Sequence, residues 1–325
     1  MADVCAVGLP TSVGEAKVSG RAMGSQVSLT ATSSVISGPD LTTLLDAALD
    51  EFAAFDRECT RFDPESSLMR ANRGADAWVD VDTRCVDALE VSLTAYVSTQ
   101  HRFDPRVHDD LVRLGYDHSR RLGAMSPRSR SALQPRDDLP VWQPEIDVDN
   151  CRVRIGPHPI DLGGIAKGMA VDHVGQALAA AVDGVLVDAG GDCWCGGTTS
   201  AGDPWRIAVE DPHGGSEPRA VIELSDLAVA TSSTRVCSWE VDGAPVHHLI
   251  DPRTGLPGGH GLAAVTVVST MAAVAEVWSK VLFLEGADGI AEAATRRQLP
   301  CLWVEADGRL HVNDTMAKYV IWRAE

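Results

Sequence analysis

No stretch of this chain approaches the about 18 uninterrupted apolar residues that a membrane-spanning helix needs, so no such helix is expected. Positive charge is scarce as well: 28 Lys plus Arg stand against 46 Asp plus Glu, a formal net charge of −18. A field of that sign repels nucleic acid and anionic membranes, and any anionic ligand must be held by local positive groups or by a metal. The first residues carry an acid, Asp3, where a secretory signal carries positive charge, and the apolar run there is short. No export signal is read, and a cytoplasmic setting is expected. The eight cysteines, at 5, 59, 85, 151, 193, 195, 237 and 301, lack the C-x-x-C spacing of redox and zinc sites, so reduced thiols that bind no metal are expected. A G-x-G-x-x-G run is missing at the one glycine turn that opens a helix, which places a nicotinamide-dependent dehydrogenase last among enzymes.

What the chain does have is Ile160-Asp161-Leu162-Gly163-Gly164-Ile165-Ala166-Lys167-Gly168, read as an apolar strand that ends in a carboxylate, passes two glycines and enters a helix. The helix is expected to turn Ala166, Met169, Ala170, Val174, Ala177, Leu178 and Ala181 to one face. Glycines 163 and 164 let a ligand approach the backbone, the helix start offers N–H groups and a positive dipole end to an anion, and Lys167 adds a full charge.

With 325 residues, 45% hydrophobic and 23% charged, the chain reads as an ordinary globular protein with a length prior of about two domains. Residues 1–16 read as a loose arm. Alternation from Lys17 to Thr30, broken at Met23-Gly24-Ser25, predicts two strands with a tight join. Gly38-Pro39-Asp40 opens a helix with the stripe Leu41, Leu44, Leu45, Ala48, Leu49, Phe52 and Phe55, and a second helix starts at Asp82 with Val86, Leu89, Leu93, Tyr96 and Val97 inward. Residues 118–140 read as a solvated connection, and a hairpin is expected around Asp149-Asn150. Val185 to Asp192 reads as a buried strand ending in a glycine turn, Trp205 to Glu210, Ala220 to Leu224 and Leu227 to Thr231 as short alternating strands, and Ala264 to Ser269 and Ala272 to Phe283 as a strand and a helix. Long helices with meandering strands argue for an α+β fold rather than a doubly wound sheet.

Seven segments together are similar to the ApbE family, the FAD:protein FMN transferases. They are Met23-Gly24-Ser25, Arg61-Phe62-Asp63-Pro64-Glu65-Ser66, Phe103-Asp104-Pro105, Asp161 to Gly168, Val187 to Asp192, Ala230-Thr231-Ser232 and His248-Leu249-Ile250-Asp251-Pro252-Arg253-Thr254-Gly255. They occur in the family's order from about Val18 onward. The resemblance implies one α+β catalytic unit of two lobes over residues 17–325, related to T-folds. It also implies FAD as substrate, Mg²⁺ as cofactor, and transfer of the FMN half to a Thr or Ser hydroxyl of an acceptor flavoprotein with an FMN-binding domain. By position, Met23 and Phe62 flank the flavin, Arg102, Phe103 and Asp104 line its pocket, Asp161 and Lys167 contact the dinucleotide with Leu249 nearby, and the Gly164 carbonyl reaches the metal. Met and Phe suit the faces of a flavin, and metal plus lysine suit a diphosphate. His248 is a candidate general base, with a turn histidine as the alternative. Asp251 and Arg253 are expected to fix a turn.

The remaining metal ligands implied by the resemblance fall on Glu276, Ser279 and Lys280, where a lysine stands in place of a threonine. Three accounts are open: Glu276 and Lys280 form an i, i+4 surface pair; Lys280 supplies part of the metal's charge; or Mg²⁺ binds through Glu276, Gly164 and Ser279 with Lys280 turned aside. The third is preferred, since one positive charge is a poor substitute for two. Arg106 is expected to meet phosphate or to pair with Asp109 or Asp110. An FAD pyrophosphatase and a non-catalytic FAD-binding protein are the alternatives to the transferase.

Overall fold

A computed structural model describes residues 14–119, 128–235 and 237–324. Its frame is an antiparallel sheet of eight strands: β1 (Gly14–Ala22), β2 (Ser25–Ser33), β3 (Gly184–Ala189), β4 (Asp192–Gly197), β5 (Leu227–Ser233), β6 (Leu262–Ser269), β7 (Cys301–Glu305) and β8 (Leu310–Val312). Each strand pairs with the next in chain order, so the sheet is a meander interrupted by long insertions. β1 and β2 meet through Met23 and Gly24, both left-handed with φ of 51° and 76°, the conformation a two-residue hairpin turn requires. The Met23 N–H is tied to Asp56 Oδ2 at 2.8 Å, which holds a non-glycine residue there. The first strand begins at Gly14, so residues 14–16 of the expected arm belong to the sheet; residues 1–13 lie outside the described residues.

The insertion between β2 and β3 supplies helices α1 (Gly38–Cys59), α2 (Ser67–Gly74), α3 (Thr83–Ser98), α4 (His108–Arg113) and α5 (Ala166–Ala179); α6 (Ala272–Leu284) and α7 (Gly286–Arg296) follow β6. α1 starts as its residues dictate, with Ser37 accepting from Asp40 N and proline in the first turn, and buries Leu41, Leu45, Phe52 and Phe55. Those side chains meet Val27, Leu29 and Ala31 of β2 and Val185, Val187 and Ala189 of β3 in one core. Each large side chain so enclosed is worth roughly 1.5 to 3 kcal/mol of transfer free energy. On the opposite face, Cys193, Cys195, Val229 and Val268 pack under a three-stranded sheet formed by Trp205–Val209, Ala220–Leu224 and Val320–Arg323. The central strands are therefore covered on both sides, which is why they read as apolar runs. Helices packed on antiparallel sheets make the fold α+β, as expected.

Three local expectations differ. Val97 is 63% exposed, and α3 instead buries Ala88, Ser92 and Ala95 beside Val86, Leu89 and Tyr96, because Val97 lies about 100° around the helix from Tyr96. On α5, Ala177 and Ala181 face solvent, while Gly168, Val171, Asp172 and Gly175 are buried. The lead-in at Ile160-Asp161 is not a strand. Asn72 of α2 holds it as a neighbouring strand would, accepting from Ile160 N at 2.9 Å and donating to Ile160 O at 2.9 Å. The hairpin at Asp149-Asn150 forms as read, between Glu145–Asp147 and Arg152–Arg154. Of the connection at 118–140, residues 120–127 lie outside the described residues.

Candidate active site

The glycine turn is built around Asp161. Its Oδ1 accepts the Gly163 N–H at 2.7 Å, its own N–H donates to the Pro105 carbonyl at 2.7 Å, and its Oδ2 meets Arg61 Nε at 2.7 Å. Arg61 is almost wholly buried, its guanidinium carbon 4.2 Å from the ring centroids of both Phe62 and Tyr116, and it donates to the Tyr116 carbonyl at 2.5 Å. Phe62, a residue 38% exposed, is thereby linked to Asp161 through one side chain. Asp161 shapes the turn and has both carboxylate oxygens engaged.

Beyond the turn, α5 and α6 cross at close range. A Cβ on Gly168 would stand 2.7 Å from the backbone of Ala273, so only glycine fits. Each helix start is capped by a carboxylate of the other. Asp172 accepts from Ala272 N at 2.6 Å and from Ala273 N at 2.9 Å, and Glu276 Oε2 accepts from Gly168 N at 2.8 Å. The helix-start N–H expected to face a ligand at Gly168 is thus used inside the protein. Burial raises the Asp172 carboxyl to about 6 against the pull of those two N–H groups.

Two lysines border the turn. Lys167 reaches the carboxylate of Asp192, which follows the Gly190-Gly191 turn of β3 and β4. That turn lies against the β1–β2 hairpin, since a Cβ on Gly190 would stand 2.7 Å from Ser25 Oγ. Met23 therefore sits on the neighbouring hairpin, half-buried against the main core. Burial pushes the Lys167 ammonium below the ordinary lysine range while Glu276 pulls it back up. Lys280, one turn past Glu276 on α6, brings its ammonium to 3.0 Å from Glu276 Oε1 and lays its stem on the glycine turn, where a Gly164 Cβ would be 3.3 Å from Lys280 Cε. The same hypothetical atom would be 3.4 Å from Phe103 Cε2, so the Phe103 ring also borders Gly164. Burial works to raise the Glu276 carboxyl, and Lys280 and Lys167 outweigh it, so Glu276 stays below the usual carboxylate range.

These residues, as arranged, do not fit the Mg²⁺ that the resemblance implies. Magnesium takes about six oxygens in an octahedron. Here both Glu276 oxygens are occupied, Ser279 Oγ is bonded to Ser232 Oγ at 2.7 Å and to the Glu276 carbonyl at 2.9 Å, and a protonated lysine has no lone pair to offer. Among the described residues no group of three or more His, Cys, Asp or Glu side chains could hold a metal.

His248 is near enough to Lys280 and Lys167 to feel both charges. Its Nδ1 is 3.2 Å from the Cys237 carbonyl, so Nδ1 carries the proton and Nε2 keeps its lone pair. Burial first, and the charges of Lys280 and Lys167 with it, push the imidazole down to about 3. The Leu249 side chain packs in the core with Val265, Val267 and Phe283, and its N–H donates to His247 Nδ1 at 3.3 Å. Arg102 turns to Glu285 Oε1 at 3.1 Å, the Leu284 carbonyl at 3.1 Å and Asp251 Oδ1 at 3.5 Å. Asp251 also holds Arg253 and fixes the turn, as the sequence suggests. Arg106 pairs with neither Asp109 nor Asp110. It is locked on Asp104 at 2.7 Å and on the Pro140 carbonyl at 2.6 Å, which commits the Asp104 side chain to the protein. A cleft of about 740 Å³ opens nearby, lined by Thr234, Arg235, Ser238, His247, Gly258 and Gly259 among others.

Sequence reasoning gave Arg61 and Asp172 no role. The only signal for Arg61 was its place beside Phe62, and for Asp172 its place one turn past Gly168; their partners lie about 100 residues away.

The ApbE family model matches residues 23–303. The FAD:protein FMN transferase of Klebsiella pneumoniae is 26% identical over 263 residues, which cover 78% of this chain and 75% of that protein. The FAD:protein FMN transferase of Salmonella typhimurium is 30% identical over 151 residues, 46% of this chain and 43% of that protein, so this match spans less than half of its length. Among solved structures, the ApbE protein of Thermotoga maritima superposes with a TM-score of 0.79 at 26% identity, covering 95% of this chain and 99% of that one. The apo flavinyl transferase ApbE of Pseudomonas stutzeri gives 0.76 at 22% identity, covering 95% and 98%. With a family match across most of its length and the same architecture, this chain belongs to the ApbE family.

Proposed function

We propose that the chain transfers the FMN half of FAD to a Thr or Ser hydroxyl of an acceptor flavoprotein and releases AMP. The observation that carries this reading is the pair of ammonium groups, Lys167 and Lys280, beside the bared turn at Gly163-Gly164, with one neutral imidazole, His248, close enough to feel both charges, in a chain of net charge −18. A diphosphate ester needs local positive charge, and the incoming hydroxyl needs a proton acceptor within reach.

In this reading the flavin lies against Met23 and Phe62, with Phe103 and the backbone of residues 102–104 beside it. Lys167 and Lys280 keep their carboxylates and offer their remaining N–H donors to the diphosphate. The hydroxyl oxygen forms a bond to the FMN phosphorus, the bond from that phosphorus to the bridging oxygen breaks, and the electron pair leaves with AMP. The hydroxyl proton passes to His248 Nε2. Asp161 and Arg61 position the turn, and Leu249 fixes the strand end that carries His248. The acceptor is a protein with an FMN-binding domain. A cytoplasmic setting belongs to the same reading. No described helix is long and apolar enough to cross a membrane.

The test is incubation with FAD, with and without a Thr-bearing FMN-binding domain. A flavin-fluorescent acceptor band in denaturing gels supports transfer. Free FMN and AMP without such a band indicate a pyrophosphatase, and FAD bound unchanged indicates a binder.

A further inference from the structure

The cation at the heart of this site is part of the polypeptide. Glu276 is 2% exposed, one oxygen fixed by the Gly168 N–H at 2.8 Å and the other by Lys280 Nζ at 3.0 Å. The second Glu276 oxygen is thus already taken by an ammonium group whose stem touches the glycine turn, at 3.3 Å from a Gly164 Cβ for Cε and 3.5 Å for Cδ. Ser279, the other side-chain oxygen at the position, faces Ser232 at 2.7 Å. A divalent ion entering here must displace the ammonium from its one carboxylate contact among the described residues and then share the space with it, three positive charges against one buried carboxylate. Asp192 cannot relieve this, because Lys167 occupies it.

We infer that Lys280 is a tethered cation that replaces the divalent ion in this chain, so that FAD is held and its diphosphate polarised without bound metal. The inference rests on the flavin-transfer reading above. Lys280 touches the diphosphate with its N–H groups through binding and transfer. It gives up no proton, so the balance of the step is unchanged: one phosphorus–oxygen bond forms, one breaks, and the hydroxyl proton goes to His248. Glu276 is the positioning residue that aims the ammonium, and its own tie to the Gly168 N–H holds that carboxylate in place.

The test measures FAD affinity by flavin fluorescence, and binding of Mn²⁺ as a metal probe by electron paramagnetic resonance, on the full chain in EDTA and in excess Mg²⁺. The native chain is expected to bind FAD with affinities within about twofold of each other in the two conditions and to leave the Mn²⁺ signal that of the free ion. Lys280→Thr restores an oxygen and removes the ammonium; it is expected to bind Mn²⁺ and to need metal for FAD affinity by about tenfold or more, the range in which single ligand changes shift metal sites. Should Lys280→Thr fail to fold, Lys280→Met is expected to weaken FAD binding with no recovery in Mg²⁺, while Lys280→Arg retains it. Native FAD binding that collapses in EDTA, or one Mn²⁺ bound per native chain, overturns the inference and leaves the transferase reading standing. Native FAD binding that is indifferent to EDTA, with no AMP released to any acceptor, supports the tethered cation and overturns the transferase reading instead. Failure to bind FAD in either condition overturns both.

Discussion

Arg61 closes on Asp161 at 2.7 Å although three α-helices separate them along the chain, and both side chains are almost completely buried. The glycine turn is tied to that ion pair, because the same Asp161 carboxylate also holds the Gly163 N–H. Removing one partner strands a buried charge. Arg61→Met is expected to cost about 3 to 5 kcal/mol of stability, read by urea denaturation, and to weaken FAD binding in whatever fraction stays folded. A loss under about 1 kcal/mol, typical of an exposed pair, contradicts this role.

The crossing of α5 and α6 depends on a missing side chain. Gly168→Ala places a methyl 2.7 Å from the Ala273 backbone, where no flexible group can yield. Overpacking of this kind costs about 1 to 3 kcal/mol, and here it also pulls Gly168 N from Glu276. The expected result is a lower thermal midpoint together with a larger fractional loss of flavin transfer than the fraction unfolded explains.

Capping gives a smaller, separable effect. Asp172→Ala leaves two buried N–H groups of α6 without partners and is expected to cost about 1 to 2 kcal/mol. Asp172→Asn, which keeps one acceptor, is expected to lose less, as measured by the same denaturation curves.

The pH dependence follows from the paired histidines. His248 and His247 are held down to about 3 and about 4, mainly by burial, against 6.5 for the unfolded chain. Above pH 6.5 both states are neutral and no stability is at stake. As pH falls below 6.5 the unfolded state takes up protons that the folded state refuses, so stability drops by about 1.4 kcal/mol per pH unit for each histidine until its folded value is reached. Denaturation curves from pH 7 to 5 are expected to show this decline, shallower in His248→Asn. The same neutrality predicts a rate profile with no limb near pH 6.5, and a limb there that vanishes in His248→Asn contradicts the assigned state.

Much of this fold was legible because its signals are local. The stripe of α1, the left-handed pair at Met23 and Gly24, and the glycine turn before Lys167 each declare themselves within a few residues. Val97 was misjudged because an apolar residue at the edge of a stripe can sit on either side of it, and only the neighbouring layer decides. Ile160 was read as a strand because its partner is a single Asn72 side chain rather than a strand. The site was legible as a list of residues but not as a set of pairs. Asp104 with Arg106, Asp161 with Arg61 and Asp172 with the start of α6 all spend on one another the groups a sequence reading offers to a ligand, and no spacing rule announces that.

The most direct measurement is the intact mass of an acceptor FMN-binding domain after incubation with this chain and FAD. The account predicts a gain equal to FMN less one water, on a Thr or Ser, with one AMP released per modified acceptor. An acceptor of unchanged mass, with FAD consumed to free FMN or not consumed at all, contradicts it.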